Sequence, residues 1–327
     1  MHIIIYGVGA IGGFYGTKLA AYHDINPNFQ LSFIARGETL KVLQHKGSTL
    51  ISKKETLGAM QESIIRVNNL NLYTSYSEIQ NIDRDELTVV LLCVKSKDTI
   101  SACQDIKTQL TDNTIIVSIQ NGVESEERIA SILGAQHTIA ALTNIAAEVL
   151  EPGIYMQKGN YGFIVSELDG QESERLKQLC DLLKAADIHV KISKQIYIDL
   201  WSKLVWNAAF NPTSVLYEMT IGPLLADPEI KNIIQSVMAE VKTVAAAQGY
   251  KLADDIDLDH MKRTDVPEWH DFRTSMLQDY QRGRAIELDD LLGVVVKRGK
   301  QFNVPTPYAE KLHEDLKSKL SIKTIST

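Results

Sequence analysis

Three glycines near the N-terminus constrain the fold of this chain more than any other feature. A short apolar, β-branched run at residues 2–6 leads directly into Gly7-Val8-Gly9-Ala10-Ile11-Gly12, and a helical pattern follows over residues 11–22. In such a turn the first glycine permits a tight bend, the second lets the backbone approach a pyrophosphate, and the third lets the helix pack on the strand. The free N–H groups at the helix N-terminus then favour phosphate. Because this turn opens a βαβ unit, we favour dinucleotide binding over a glycine-rich turn without a ligand.

Short apolar runs alternate with helical patterns along the first two-thirds of the chain. Strands are predicted at residues 2–6, 30–35, 88–94, 114–119, 137–142, 153–158, 161–165 and 189–192. Helices are predicted at residues 11–22, 38–45, 97–110, 124–133 and 171–185. Continuous apolar strands separated by helices indicate a parallel sheet that is covered on both faces. We therefore predict an α/β, doubly wound domain over residues 1–193.

The pattern changes near Ser193, after which no convincing strand remains. Helices are predicted at residues 196–210, 228–248, 269–282, 287–302 and 307–320, and Pro212 is expected to end or kink the first of these. A chain of 327 residues is also long for a single hydrophobic core. We therefore predict a second, all-helical domain over residues 194–327.

Composition argues against several classes of partner and site. The formal net charge of −7 disfavours nucleic acid and anionic membranes as partners. Three cysteines without a Cys-x-x-Cys pair, and histidines without a His-x-x-x-His pair, suggest neither a disulfide framework nor a metal site. The N-terminus does not resemble a signal peptide, and no run approaches the roughly 18 apolar residues of a membrane span. We expect a cytoplasmic protein whose partner is a small molecule.

The end of the second predicted strand bears on which dinucleotide binds. Enzymes that use NAD usually place an acid there for the ribose 2′-hydroxyl, whereas this strand ends at Arg36. An arginine attracts the 2′-phosphate of NADP and stacks beside its adenine. Glu38 is a contrary signal, but it suits the first turn of a helix better. The alternative is that Arg36 is a solvated loop cation, and we predict NADPH.

Two further strand ends carry polar residues where the apolar pattern stops, at Lys95 and at Asn121. Ligands of doubly wound sheets bind beyond the carboxyl ends of the strands. Lys95 suits a ribose or a carboxylate, and Asn121 suits the nicotinamide ribose or a substrate. Taken singly, the first is more commonly a solvated lysine and the second a simple turn. Their position at the same predicted sheet edge as the glycine turn favours function for both.

Lys203, Asn207 and Asn211 are spaced four residues apart within an otherwise apolar helical pattern. This spacing places all three on one helix face, and we call them the polar stripe. A narrow stripe on an apolar helix indicates a buried polar cleft, because buried polar groups need partners that a substrate can supply. A solvated stripe is the alternative. Ser275 and Glu287 form a second polar set, although periodicity alone makes them a helix start and a surface acid.

Five segments occur in an order and at spacings that resemble the ketopantoate reductase family. They are GVGAIGG at 7–13, CVKS at 93–96, SIQNGV at 118–123, WSKLVWNAAFNP at 201–212 and SMLQDYQRGRAIELDDLLG at 275–293. The resemblance spans residues 7 to about 306. It implies a Rossmann domain followed by an all-α domain like that of 6-phosphogluconate dehydrogenases. It also implies reduction of 2-dehydropantoate to pantoate with NADPH, on the pathway to coenzyme A.

The resemblance also implies a role for each candidate residue. Lys203 matches the proton donor, with Glu287 as a catalytic acid near the nicotinamide ribose. Substrate-binding residues would be Asn121, Lys203, Asn207, Asn211 and Ser275. The resemblance gives Asn121, Ala147 and Glu287 as cofactor-binding residues, beside those that the turn and the strand ends already indicate, which are Gly7, Val8, Gly9, Ala10, Ile11, Gly12, Arg36 and Lys95. Burial is expected to lower the pKa of Lys203 toward neutrality, and Glu287 is expected to oppose that fall.

Two departures from the family concern the substrate pocket. Asn211 is followed by Pro-Thr-Ser, where some members carry a further asparagine, and residues 270–273 also differ. The identity of the keto acid is therefore more open than the reaction. One alternative is a related reductase of another 2-keto acid or of an imine, and another is a non-catalytic NADP(H)-sensing protein. The sensor would not need the polar stripe. A homodimer is left open.

Overall fold

The computed structural model describes residues 1–56, 59–80 and 82–325, and these fall into two units. The first, here called the sheet unit, contains Met1–Gln120 and Ser125–Ile196. The second, here called the helical unit, contains Tyr197–Thr327 together with the short segment Asn121–Glu124. Asn121 is therefore grouped with the helices, although it follows a strand in sequence.

The sheet unit contains all the strands of the described residues. They are β1 (His2–Tyr6), β2 (Gln30–Ile34), β3 (Ser48–Thr56), β4 (Ala59–Val67), β5 (Leu72–Tyr73), β6 (Thr88–Leu92), β7 (Thr114–Ser118), β8 (Thr138–Glu151), β9 (Ile154–Glu167) and β10 (Val190–Ile192). Its helices are α1 (Ala10–Ile25), α2 (Gly37–Lys46), α3 (Thr99–Lys107), α4 (Ser125–Leu133) and α5 (Glu174–Ala185). The prediction of strands alternating with helices is confirmed.

Six strands form a parallel sheet in the order β5-β2-β1-β6-β7-β8. The chain runs outward from β1 in both directions, which is the doubly wound Rossmann arrangement. Tyr6 pairs with Ile34 on one side and with Leu92 on the other, so the carboxyl ends of these strands lie level. The segments that follow β1, β2 and β6, which hold the glycine turn, Arg36 and Lys95, therefore leave the sheet at one edge.

The sheet separates two apolar layers, because successive side chains of a strand point to opposite faces. Along β1, Ile3 and Ile5 pack with Phe14 and Leu19 of α1 on one face. Ile4 packs on the other face with residues of α3 and α4, namely Ala102, Cys103, Ile106 and Ile129. All of these side chains are almost fully buried. The continuous apolar composition of the central strands follows from this burial on both faces.

The sheet continues beyond the Rossmann strands in a way that the sequence did not predict. β9 pairs antiparallel with β8 and parallel with β3, and β3 pairs antiparallel with β4. Apart from residue 153, the strands predicted at 153–158 and 161–165 both lie within β9, and only the break predicted between them is wrong, since β9 is one strand of 14 residues. The β3–β4 pair was missed because β4 is mostly exposed and its apolar residues do not form a continuous run.

The helical unit has no strand among its described residues. Its helices are α6 (Ile196–Tyr217), α7 (Ile221–Ala226), α8 (Pro228–Ala247), α9 (Ile256–Thr264), α10 (Ser275–Gln281), α11 (Val294–Gln301) and α12 (Pro307–Ile325). A π-helical turn at Asp289–Gly293 leads directly into α11. The all-helical prediction is confirmed, but the helix predicted at 269–282 begins only at Ser275, and α7 and α9 were not predicted.

Pro212 was predicted to end or kink α6 just past the polar stripe. The predicted end is wrong. α6 continues through Pro212 to Tyr217. Proline removes the helical hydrogen bond that its own N–H would donate to the carbonyl of Ala208. The hydroxyls of Thr213 and Ser214 donate to the carbonyls of Ala209 and Asn211 and so do not replace that bond. The helix on both sides of the proline is fully buried. Tertiary packing therefore outweighs the local preference of proline.

Three absences concern only residues 1–56, 59–80 and 82–325. No helix there combines the length and the apolar character that crossing a membrane requires. No group of three or more His, Cys, Asp or Glu side chains is arranged to hold a metal ion. The cysteines Cys93, Cys103 and Cys180 are all free thiols.

Candidate active site

Two glycines of the turn at residues 7–12 are required by close backbone contacts. Gly7 has φ of +96°, and a Cβ there would lie 2.8 Å from Cγ1 of Val94. A Cβ on Gly12 would lie 2.0 Å from the carbonyl oxygen of Gly7, which cannot move away because it is backbone. These contacts explain why the turn needs glycine at its first and third positions.

Gly9 differs from the other two glycines because it faces open space. The residue is exposed, and a Cβ built on it would meet no atom within 4 Å. Gly9 is the N-cap of α1, has no side chain to cap the helix, and is followed by a first turn without an acidic residue. Val8 is buried, whereas Ala10 and Ile11 are partly exposed. The N-terminus of α1 therefore offers an anion-binding surface that a pyrophosphate fits.

The remaining cofactor candidates of the sheet unit occupy three separate positions. Arg36 is exposed at the N-cap of α2, and its Nε donates to the carbonyl oxygen of Thr74 at 3.2 Å. Glu38 lies in the first turn of α2, as expected. Lys95 is exposed just beyond β6, and Ala147 is partly buried on β8. The guanidinium of Arg36 is thus accessible to a phosphate.

Lys203 lies on α6 and contacts Asn121, the third residue after the end of β7. Its Nζ donates a hydrogen bond to Oδ1 of Asn121 at 2.9 Å. Burial lowers the pKa of Lys203 from 10.5 to about 8, and the Glu287 carboxylate opposes this fall. These are the two opposing effects that the sequence predicts. An amine with a pKa near neutrality can both hold and release a proton under ordinary conditions.

The other two members of the polar stripe are linked to Ser275. Asn211 is 1% exposed, and its Nδ2 donates to Oδ1 of Asn207 at 3.3 Å. The Oδ1 of Asn211 accepts from the Ser275 hydroxyl at 3.4 Å and from the backbone N–H of Met276 at 3.3 Å. The helical unit therefore joins Asn207, Asn211 and Ser275 through hydrogen bonds. Two carboxamides and a hydroxyl in this arrangement can hold a carboxylate and a carbonyl oxygen.

Two residues that support this arrangement were missed from the sequence. Thr274 caps α10 by accepting from the backbone N–H of Leu277, and its hydroxyl lies 2.6 Å from the Ser214 hydroxyl of α6. This contact connects the start of α10, where Ser275 lies, to the helix that carries the polar stripe. The only available signal was a threonine directly before a helical pattern, which is a preferred N-cap residue.

Aromatic side chains flank the polar stripe on α6. The Trp206 ring stacks on Phe210 at 4.9 Å and meets Trp269 and Phe272 edge to face at 5.9 and 6.4 Å. The Trp206 indole N–H donates to the Thr264 hydroxyl at 3.0 Å. Packing of this kind restricts the rotation of α6 about its axis and so fixes the direction of its polar face.

Comparison with known proteins identifies a family for both parts of the chain. The profile described as ketopantoate reductase PanE/ApbA matches residues 3–170, and the corresponding C-terminal profile matches residues 195–319. A 2-dehydropantoate 2-reductase of Mesorhizobium japonicum is 28% identical over 327 aligned residues, covering 94% of each chain.

Solved structures of similar proteins share the fold over nearly the whole chain. A PanE/ApbA family ketopantoate reductase from Ralstonia eutropha has a TM-score of 0.82 and 29% identity, covering 97% of each chain. A D-mandelate dehydrogenase solved with NADH and anilino(oxo)acetate has a TM-score of 0.83 at 21% identity, covering 98% of each chain, and this second similarity is one of fold. Together with the profile matches over both units, these findings show that the chain belongs to the ketopantoate reductase family of oxidoreductases.

Proposed function

We propose that this chain reduces 2-dehydropantoate to pantoate with NADPH, as a step in pantothenate and coenzyme A biosynthesis. The observation that carries the proposal is the pairing of Lys203 with Asn121 at 2.9 Å, together with a Lys203 pKa lowered to about 8. Membership of the ketopantoate reductase family and the names of similar proteins support the same substrate.

We assign cofactor binding mainly to residues 1–193 and substrate binding mainly to residues 194–327. The glycine turn, Gly7 to Gly12, would hold the pyrophosphate at the N-terminus of α1. Arg36 would bind the 2′-phosphate, because its guanidinium is exposed at the end of β2. The remaining contacts to the cofactor are proposed for Lys95, Asn121, Ala147 and Glu287. When bound, the reduced nicotinamide supplies the hydride for the C2 carbonyl carbon of the substrate.

Lys203 is the proposed general acid. As the carbonyl carbon is reduced, negative charge develops on the carbonyl oxygen, and the Lys203 ammonium both stabilises that charge and donates a proton to it. The Asn121 oxygen accepts one ammonium hydrogen and so directs the remaining hydrogens. Glu287 keeps a larger fraction of Lys203 protonated at neutral pH, because its carboxylate raises the Lys203 pKa. Lys203 and Glu287 are therefore the proposed catalytic pair.

Asn207, Asn211 and Ser275 are the proposed substrate-binding residues. Their hydrogen bonds to one another fix the orientation of both amides before a substrate arrives. An oriented amide or hydroxyl hydrogen can bind the substrate carboxylate without first reorganising, which favours a reactive geometry. Binding of 2-dehydropantoate through its carboxylate and hydroxyl is the function that we assign to this group.

A screen of cofactor and substrate pairs tests the proposal directly. The purified protein is mixed with NADPH or NADH and with 2-dehydropantoate, pyruvate, 2-ketoisovalerate or phenylglyoxylate, and oxidation of the reduced cofactor is followed by absorbance. We expect the highest kcat/KM for NADPH with 2-dehydropantoate. A preference for another keto acid would retain the chemistry but overturn the substrate. If the protein binds NADPH but reduces no keto acid, the non-catalytic sensor is the correct alternative.

A further inference from the structure

The four residues Asn121-Gly122-Val123-Glu124, here called the asparagine segment, form three contacts within the helical unit. The first is the hydrogen bond from Lys203 Nζ to Asn121 Oδ1. The segment has no helical or strand structure of its own, because β7 ends at Ser118 and α4 begins at Ser125. The position of the Asn121 oxygen therefore depends on how the rest of the segment is held.

The second contact is a close backbone approach at Gly122. Gly122 has φ of +101°, and a Cβ there would lie 3.0 Å from the carbonyl oxygen of Asp290. Asp290 belongs to the π-helical turn Asp289–Gly293, where the wider helix displaces the backbone from an α-helical path. Glycine suits both this backbone conformation and this separation, so Gly122 lies directly against the π-helical turn.

The third contact is an ion-paired anchor at Glu124. Its Oε1 accepts from Lys297 Nζ at 2.8 Å, and it accepts from Nε of Arg298 at 3.1 Å. The Glu124 and Arg298 side chains are 9% and 13% exposed, whereas the Lys297 side chain is 64% exposed. A buried carboxylate needs a charged, hydrogen-bonding partner, so Arg298 is the principal partner of Glu124. The ion pair with Lys297 contributes less, because solvent screens the exposed lysine.

We propose that Glu124 and Arg298 are positioning residues that hold the Asn121 oxygen against the Lys203 ammonium. The ion pair fixes one end of the asparagine segment to α11, and the Gly122 contact fixes its middle to the π-helical turn that continues into α11. The π-helical turn and α11 thus hold the residues that follow Asn121, whereas Gln120, directly before it, is held by hydrogen bonds from its Nε2 to the Val94 carbonyl oxygen and the Thr99 hydroxyl. The catalytic meaning of this inference rests on the proposed function, but the geometric claim does not, because all three contacts lie within the helical unit.

The charged and polar groups that act on Lys203 define the expected effect. The Glu287 carboxylate raises its pKa. The Asn121 oxygen accepts a hydrogen bond from Lys203 Nζ, and this bond is stronger from the charged ammonium than from the neutral amine, so it also favours the protonated form. Release of the asparagine segment would remove the second of these stabilising effects while leaving Glu287 in place. The ammonium would then lose its proton at lower pH.

Competitive acetylation measures this effect without substrate or cofactor. The protein is labelled with acetic anhydride across a range of pH, and the pH dependence of Lys203 acetylation, read by mass spectrometry, gives the Lys203 pKa. We expect Glu124→Gln and Asn121→Ala each to lower this pKa by about one unit. The double variant should show no further fall, because Glu124 acts through Asn121 and the two effects are not additive.

Glu167→Gln is the matched control. Glu167 is also a buried carboxylate, and it pairs with Arg175 at 2.6 Å within the sheet unit. This variant should destabilise the fold to a similar extent, measured as Tm, and leave the Lys203 pKa unchanged. Should Glu124→Gln not fold, Arg298→Lys provides the same test, since lysine keeps the charge but loses the planar guanidinium.

Two results would overturn the inference. One is an unchanged or raised Lys203 pKa in Glu124→Gln when Asn121→Ala lowers it, and the other is an additive effect in the double variant. Failure of the proposed function gives a different result, in which no keto acid is reduced while the labelling pattern is as expected. If keto acids are reduced, Glu124→Gln should lower kcat about tenfold or more and leave the KM for NADPH nearly unchanged.

Discussion

The glycine turn of the sheet unit and the polar stripe of the helical unit achieve their geometry by opposite means. The turn is made of backbone, and its Gly7 and Gly12 are required because any Cβ would collide with neighbouring atoms. The stripe is made of side chains, and Asn207 and Asn211 are held by hydrogen bonds to each other and to the start of α10. A rigid ligand site can therefore be built either from close backbone contacts or from hydrogen bonds between side chains.

This difference predicts how the two regions respond to substitution. A backbone site fails as a whole when a glycine that close contacts require is replaced, because the chain that binds the ligand is then displaced. A side-chain site fails one contact at a time, because each amide or hydroxyl contributes its own hydrogen bonds. Substitutions in the two units test this contrast, and the largest effect is expected at the glycine turn.

Gly12→Val should abolish cofactor binding, whereas Gly9→Ala should only weaken it. A side chain at position 12 would overlap the Gly7 carbonyl oxygen, so the turn cannot form, while position 9 faces open space. Circular dichroism and quenching of tryptophan fluorescence by NADPH measure folding and Kd. We expect a normal Tm for Gly9→Ala with a Kd raised about tenfold. Equal NADPH affinity in Gly9→Ala and the wild type would show that the turn is not part of the cofactor-binding site.

Asn207→Ala should raise the KM for the keto acid roughly 10–100-fold, as expected for loss of a hydrogen bond to a carboxylate. The Kd for NADPH should stay near its wild-type value, because the change affects one side chain of the stripe. Steady-state kinetics with saturating NADPH measure the effect, and Asn232→Ala on α8 serves as the control. A change confined to the NADPH affinity would contradict the assignment of Asn207 to the substrate.

Arg36→Ala should weaken NADPH binding roughly tenfold and leave NADH binding unchanged, since a charged hydrogen bond to the 2′-phosphate is lost. Arg36 is exposed, so the fold should be unaffected. Isothermal titration with both cofactors gives the ratio of affinities. Equal loss of affinity for NADPH and NADH would show that Arg36 supports the fold of the strand end and does not bind the 2′-phosphate.

Glu287→Gln should move the alkaline limb of the pH–rate profile to lower pH by about half a unit to one unit. The general acid must be protonated, so the rate falls as pH rises through the Lys203 pKa of about 8. The Glu287 carboxylate raises that pKa, and its removal lets the pKa fall further. Asp259→Asn, on the surface of α9, should leave the limb in place. A shift of the limb to higher pH would contradict the electrostatic role.

Much of the fold could be predicted from the sequence because its signals are local. The β1 run, the glycines and the first helix lie within 25 residues, and together with the strand at Gln30–Ile34 they specify a βαβ unit. The β3–β4 pair could not be predicted, because β4 is mostly exposed and its apolar residues do not form a continuous run. The end of α6 was predicted wrongly at Pro212 for a related reason, since the burial that keeps α6 helical comes from residues distant in sequence.

In the candidate site, too, the residues with a local sequence signal could be predicted, and those brought together by long-range contacts could not. The spacing of Lys203, Asn207 and Asn211 marked them as one face, and the structure places them on one continuous helix. Glu124 gave no such signal, because it is one of three acids, Glu124, Glu126 and Glu127, at the start of a predicted helix, where acids are typical. Its pairing with Arg298 spans 174 residues of sequence, and Thr274 and Ser214 meet across 60. Contacts of this range become visible only in three dimensions.

The most direct test of the central claim compares Lys203→Ala with the wild type under saturating NADPH and 2-dehydropantoate. If Lys203 is the proton donor, kcat should fall roughly 10²–10⁴-fold, the alkaline limb near pH 8 should disappear, and NADPH should still bind with nearly unchanged Kd. A loss of only a few-fold in kcat, with the limb retained, would contradict the account.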